Sequence, residues 1–344
     1  MQENDLIKCV AKLQKGGIPF ALWSLPGSSD WEGIAQNNSH LENYNRNSKE
    51  GFIVSPFKND GIAKFIRADK SIEDTFLDEY ELNENSKSND DSPYITSRSA
   101  YLKQCESIIK KIKEGKAEKV VLSRVLEEKI NRHPLSLFLK LCNSYPEAMV
   151  FLYFLGEHLW LGASPEILLT IEKGKFTTMA LAGSLAVESS KEWSGKEREE
   201  QAYVEKYLEN ILVNKKLDFI KEGPYTRIAG PVKHLLSTFR GNISESIFND
   251  LVFELHPTPA VCGIPVDTAR MIIENTESHQ RRDYTGFIGP VKEMNKHIFV
   301  NLRSSMIIDD RMYLFLGGGI TKDSIAEEEW NETELKAKTL LSIL

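Results

Sequence analysis

Between Met149 and Leu185 the chain runs through apolar stretches broken at Gly156-Glu157, Ala163-Ser-Pro165 and Lys173-Gly174. Each stretch has strand length and each break carries turn formers, so the segment predicts a four-strand antiparallel meander. Helical patterns flank it. Tyr101 to Lys113 places Leu102, Cys105, Ile108, Ile109 and Ile112 at helical spacing, Gly115 stops it, and Lys119-Val-Val-Leu-Ser-Arg124 begins a strand. Glu197 to Val213 reads as a long helix with Val204, Leu208, Ile211 and Leu212 on its apolar face, and Val291 to Leu316 returns to strands.

Residues 1 to about 80 alternate short apolar runs with turn signals, as in Phe20-Ala-Leu-Trp-Ser-Leu25 before Pro26-Gly27 and Gly51-Phe-Ile-Val-Ser55 before Pro56. They read as further strands of the same sheet system. Asn83 to Asp91, rich in Asn, Ser and Asp, has too little apolar content to pack and is the best linker candidate. The fold class is therefore α+β, built on a large antiparallel sheet system that the N-terminal strands join. With 344 residues, 41% of them hydrophobic, the chain can bury a large core, as one big domain or two closely joined ones.

The net charge of -7 gives no general attraction for nucleic acid or acidic membranes, so an anionic ligand has to be held by local positive groups. Neither kind of macromolecular partner is expected. Met1 to Lys15 mixes charges with apolar residues, and no stretch reaches the roughly 18 apolar residues that span a bilayer, so a cytoplasmic location is the default expectation. Cys9, Cys105, Cys142 and Cys262 are scattered without a CxxC pair, which predicts buried, reduced thiols rather than a zinc site or disulfides.

Chemistry concentrates in four places. Gly317, Gly318 and Gly319 follow the apolar run Met312 to Leu316 and precede Glu329, Glu332 and Lys336, whose spacing puts them on one helix face. Three glycines after a strand let backbone N–H groups approach an anion, so this is a seat for a carboxylate and a hard cation. The same acidic spacing recurs at Glu197 and Glu200, and two such faces can share one Mg²⁺; a solvated charged helix is the plainer reading of each. Lys119 opens an apolar strand, either as an edge lysine facing water or as a desolvated base in a cleft. Glu166, after Pro165 and before Ile167-Leu-Leu169, is either a solvent-facing strand start or a carboxyl that burial keeps protonated as an acid.

Of the remaining candidates, His234 and His256 read as packed or hydrogen-bonded histidines, no His pair having zinc spacing. Arg303, between apolar runs, needs an anion partner, whether a structural carboxylate or a bound substrate. Nucleotide motifs are absent: Lys322 stands where Gly317-Gly-Gly319 would need the last glycine of GxGxxG, and no GxxxxGK[ST] occurs.

From about Ser97 onward these segments resemble the chorismate-utilising enzymes, a family that includes isochorismate synthase, salicylate synthase, anthranilate synthase component I and aminodeoxychorismate synthase component I. The resemblance is carried by Lys119-Val-Val-Leu-Ser-Arg124, Gly162-Ala-Ser-Pro-Glu166, Ala180-Leu-Ala-Gly-Ser184, Leu255-His-Pro-Thr-Pro-Ala260, Tyr284-Thr-Gly286, Leu302-Arg303 and Glu329-Trp-Asn-Glu-Thr333. It implies one large domain spanning 1–344 with layered antiparallel sheets, helices outside and a central cleft. Residues 97–344 would form its chorismate-binding core and residues 1–90 its more variable part. By resemblance Lys119 is the base and Glu166 the acid. The resemblance also implies that Glu200 and Glu332 ligate Mg²⁺ directly, with Glu197 and Glu329 reaching it through water. On the same resemblance Arg303, Gly318, Gly319 and Lys336 would bind substrate carboxylates, with Gly183, Ser184, His234 and Tyr284 lining the pocket.

Two positions sort the chemistry within the family. Anthranilate synthases usually carry glutamine at the place of Lys119, and aminodeoxychorismate synthases a second lysine at the place of Ala182. The resemblance therefore implies an isomerase that adds water to chorismate to give isochorismate, for menaquinone or a siderophore. A salicylate synthase that goes on to expel pyruvate, and a subunit that needs an amidotransferase, are the alternatives. A monomer without an obligatory protein partner is expected. Gln201 and Ala326 depart from residues common in relatives, histidine and proline respectively, and touch no expected ligand.

Overall fold

A computed structural model describes residues 2–58, 60–77 and 91–344. Among the described residues two nine-stranded sheets form the frame. The first runs in spatial order Gly263–Ile264, Lys119–Lys129, Arg311–Ile320, Ser304–Ile308, Leu159–Ser164, Met149–Phe154, Phe20–Ser24, Glu32–Ala35 and Lys70–Ser71. The second runs Phe219–Ala229, Val232–Asn242, Lys175–Ala186, Ile167–Glu172, Asn295–Val300, Phe287–Val291, Gly51–Ser55, Lys64–Arg67 and Glu42–Asn43. Neighbouring strands pair antiparallel throughout both, so the α+β class expected from the pattern is the one observed.

Side chains alternate between the two faces of each strand, and this sorts the core into layers. Ala21, Trp23, Phe151, Tyr153 and Phe315 of the first sheet meet Phe52, Val54, Ile288 and Phe299 of the second. The other face of the first sheet is covered by the helices Glu3–Lys15, Pro134–Ser144 and Ala326–Leu341, through Leu6, Val10, Phe138, Leu141 and Leu340. On the second sheet the helix Gly195–Asn214 inserts Val204, Leu208, Ile211 and Leu212 against Ala180, Ala182 and Phe239. These are the four apolar positions that the sequence placed on one face.

Three expectations change. The four strands from Met149 to Ala186 are not one meander: Met149–Phe154 and Leu159–Ser164 pair in the first sheet, Ile167–Glu172 and Lys175–Ala186 in the second. The chain crosses between sheets at Pro165-Glu166, because a proline cannot continue the ladder of a central strand. The first residues are not all strand either. Glu3–Lys15 is a helix whose Leu6, Cys9, Val10 and Leu13 are buried at helical spacing. Finally, Gly317, Gly318 and Gly319 lie inside the strand Arg311–Ile320 and pair with Ser123, Leu122 and Val121, so they extend the ladder instead of forming a loop beyond it. The linker expected from Asn83 falls outside the described residues as far as residue 90; Asp91, at its end, accepts a hydrogen bond from Arg282 at 2.7 Å. All four cysteines are free, and Cys9, Cys105 and Cys262 are buried.

Candidate active site

The crossover at Pro165 decides where the site lies. A residue there belongs to neither sheet and points into the space between them, and Glu166 is only 2% exposed. Its Oε1 has no hydrogen-bond partner. Burial pushes its pKa up to about 8, with Lys119 and Lys336 pulling the other way without reversing it. The cavity it lines also takes in Leu181, Gly183, Ser184 and His234 from the second sheet and Val121, Gly317 and Gly319 from the first. Alternation explains the floor. Phe315, Gly317 and Gly319 project to one face beside Ser123, Val121 and Lys119, and two missing side chains leave the hollow.

Lys119 is fully buried at the start of its strand. Its Nζ lies 2.6 Å from Glu200 Oε1, off the angle of a good hydrogen bond, so the two are held by charge. A Cβ on Gly319 would fall 2.5 Å from that carboxylate oxygen and 2.9 Å from Lys119 Cε. Gly318 differs: a Cβ there would meet Glu329 Oε2 at 3.4 Å and Glu332 Oε1 at 3.7 Å, ordinary contact distances. Gly319 thus makes room for the Lys119 and Glu200 side chains to meet.

Each of the three carboxylates carries a lysine: Glu200 with Lys119, Glu329 with Lys196 at 2.8 Å, and Glu332 with Lys336 at 2.7 Å. Burial works against the Lys196 ammonium, yet Glu329, Glu332 and Glu200 together hold its pKa above the ordinary lysine value. Glu329 is 2% exposed, its Oε2 has no hydrogen-bond partner, and burial followed by repulsion from Glu332 pushes it up to about 7. Three carboxylates thus act on one ammonium. Among the described residues no three acidic, histidine or cysteine groups stand close enough together to hold a metal ion by themselves.

Glu197 does not join this group. Its Oε2 accepts from Ser194 N at 2.8 Å and Ser194 Oγ at 2.6 Å, the capping box that starts the helix Gly195–Asn214. The sequence signal was Ser194 three residues ahead of a glutamate. Lys336 is also engaged, donating to Gly317 O at 2.9 Å as well as to Glu332.

On the far wall, His234 Nδ1 donates to Gly183 O at 2.7 Å, which leaves Nε2 to accept from Arg303 Nη2 at 3.3 Å. Burial, Arg303 and Lys336 depress its pKa to about 3, so the ring is neutral. Arg303 is 8% exposed and donates its other arm to Thr339 Oγ1 at 3.1 Å; burial brings its pKa down to about 10. Among the described residues it has no carboxylate within ion-pair distance, and Glu332 acts on it by charge from farther away. Tyr284 stacks on Phe315 with centroids 5.4 Å apart. His256, read as structural, bonds Thr285 O through Nε2 at 2.9 Å.

Two side chains in this region were not recognised from sequence as part of the site. Lys196 lay inside the acidic run without being weighed as a partner for Glu329. Gln201 accepts from Ala182 N at 3.0 Å and donates to Ala180 O at 3.1 Å, fastening the acidic helix to the cavity wall.

Residues 47–344 match the family model described as chorismate binding enzyme. The chain belongs to this family. Isochorismate synthase MenF of Bacillus subtilis is 31% identical over 262 residues, covering 71% of this chain and 55% of that protein. The MenF of Haemophilus influenzae is 30% identical over 249 residues, 67% of this chain and 57% of that protein. The chain thus spans a little over half the length of these two relatives. A solved structure described as MenF, the menaquinone-specific isochorismate synthase from Escherichia coli, superposes over 96% of this chain and 91% of its own with a TM-score of 0.74 at 19% identity, a likeness of fold. As in that fold, the family's layered sheets are the two described above. No helix among the described residues is long and apolar enough to cross a membrane.

Proposed function

We propose that this member of the chorismate binding enzymes is an isomerase that converts chorismate to isochorismate. The observation that carries the reading is the pairing of two buried groups: the Glu166 carboxyl, which lines the hollow and is protonated at neutral pH, and the Lys119 amine, which lies behind Gly319 and acts on Glu166 by charge. In this reading Lys119 takes a proton from water as the water oxygen bonds to C2 of the ring. Glu166 gives its proton to the C4 oxygen as that C–O bond breaks, so one water enters and one leaves. Lysine at 119 and alanine at 182 are the residues that the family resemblance links to water, not ammonia, as nucleophile.

Glu200, Glu332 and Glu329 would hold Mg²⁺, which when bound neutralises the ring carboxylate. Glu200 turning to the metal would release the Lys119 amine from its carboxylate partner. Arg303, held by neutral His234 and Thr339, is the cation for the second carboxylate, with Tyr284 beside it. Gly183 and Ser184 line the same cavity as Gly318 and Gly319, and Lys336 steadies Glu332. We place the product in menaquinone synthesis, following the names of the two relatives, and expect no amidotransferase partner. Incubation of the pure chain with chorismate and Mg²⁺, followed by separation of products, tests the reading. Accumulated isochorismate supports it; salicylate with pyruvate, or no reaction until an amidotransferase and glutamine are added, overturns it.

A further inference from the structure

The strand Lys119–Lys129 has a full-length neighbour on one side, Arg311–Ile320, but on the other only the two-residue strand Gly263–Ile264, which pairs with Val120 and Lys119. Val121 N still reaches Cys262 O at 2.8 Å, and farther along Val125 O accepts from Thr96 N at 3.3 Å. Between them Val121 O and Ser123 N face a gap where a strand would continue. An unmet backbone group in such a buried place is costly.

Two side chains fill the gap. Arg281 Nη2 donates to Val121 O at 2.8 Å, and Glu277 Oε1 accepts from Ser123 N at 2.7 Å and from Ser123 Oγ at 2.8 Å. They are also bonded to each other, Arg281 Nε to Glu277 Oε2 at 2.9 Å and Nη2 to Oε1 at 2.7 Å. One donor and one acceptor, locked side by side, present to the strand edge what a peptide unit of a neighbouring strand would present. Both side chains are 3% exposed. An apolar pair could fill this volume without the desolvation cost of two charges, but it would leave Val121 O and Ser123 N unpaired.

The guanidinium extends beyond the strand. Its Nη1 donates to Val261 O at 2.9 Å and to Thr285 Oγ1 at 3.3 Å. Val121, Val261 and Thr285 all line the cavity, while Glu277 and Arg281 do not. One cation therefore ties together three segments of the cavity wall from behind.

We infer that Glu277 and Arg281 are a positioning pair which substitutes for a missing strand and fixes the walls at Val121, Val261 and Thr285, and so sets how tightly substrate is held. The link to substrate rests on the reading of the cavity as the chorismate site; the link to the strand edge does not. A hollow of about 550 Å³ lined by Glu277 and Arg281 together with Phe57 and Ile273 adjoins the pair, so the space vacated by truncating Arg281 would open onto it.

The test uses Arg281→Ala in the full chain, with and without millimolar guanidinium ion. The KM for chorismate should rise about tenfold or more, the scale of a lost hydrogen bond to a charged group, and guanidinium should bring it back toward the native value. Hydrogen exchange at the Ser123 amide should speed up in the variant and slow again with guanidinium. Arg281→Lys, which keeps a charge beside Glu277 but cannot reach both carbonyls, should show a smaller rise in KM; it carries the test if the alanine variant does not fold. A lower maximal rate at unchanged KM, the mark of a smaller folded fraction, would overturn the inference. So would a Ser123 amide as protected as in the native chain. If the native chain leaves chorismate untouched, the functional reading falls, and the exchange experiment still decides whether the pair holds the strand.

Discussion

Lys119 and Glu200 form a contact of 2.6 Å in which the lysine is wholly buried and the glutamate side chain is 13% exposed. They come from a strand and a helix 81 positions apart, and Gly319 is the residue that lets them meet. The proposed chemistry turns on this contact, since it joins the base to one of the carboxylates of the cation site.

Gly319→Ala should therefore damage the site more than the fold. The added methyl would overlap Glu200 Oε1, so the carboxylate or the lysine has to move. Turnover of chorismate should fall at least about tenfold, while overpacking costs about 1–3 kcal/mol of stability, a few degrees in melting temperature. Steady-state kinetics alongside a thermal melt checks both, and unimpaired turnover would show that the contact is not needed.

Lys119→Ala and Glu166→Gln should each lower kcat by about 10²–10⁴, the usual loss when a general base or acid is removed. Circular dichroism should show the fold retained. Near-native kcat in either variant removes that residue from the mechanism.

Glu166 also sets a pH dependence. The acid form is needed, so on this limb activity should be full below about pH 7 and fall as pH rises through about 8. The stability effect has the same direction: a carboxyl whose pKa is raised from 4.5 to about 8 by folding favours the folded state at low pH, and that contribution is lost between those values as pH rises. Glu166→Gln should abolish it. The variant should melt higher than the native chain near pH 8.5, with the difference shrinking toward pH 5; a constant difference across that range would contradict the buried-acid assignment.

Removing divalent cations with excess EDTA should abolish turnover, and added Mg²⁺ should restore it. The three lysine partners keep the carboxylates compensated, so the melting curve should change little. Full activity in EDTA would exclude the cation from the reaction.

The periodic parts of this fold were legible in sequence. The helices around Leu102–Ile112 and Val204–Leu212 and the strand from Lys119 needed only apolar spacing. What was misread depended on context. The meander reading took Ala163-Ser-Pro165 as a hairpin turn, whereas the proline marks a change of sheet. The N-terminal helix carried its signal at Leu6, Cys9, Val10 and Leu13, but charged neighbours masked it. Glu197 looked like Glu200, and only the cap on Ser194 separates their roles. The Glu277 contact to Ser123 spans 154 residues, and no local pattern announces a side chain that takes the place of a strand.

The most direct measurement is to run the reaction with Mg²⁺ in ¹⁸O-enriched water and isolate the product for mass spectrometry. The account predicts isochorismate carrying one solvent oxygen at C2, with the C4 oxygen of chorismate lost to water. Isochorismate without label would contradict attack by solvent water, and salicylate with pyruvate in its place would contradict the proposed reaction.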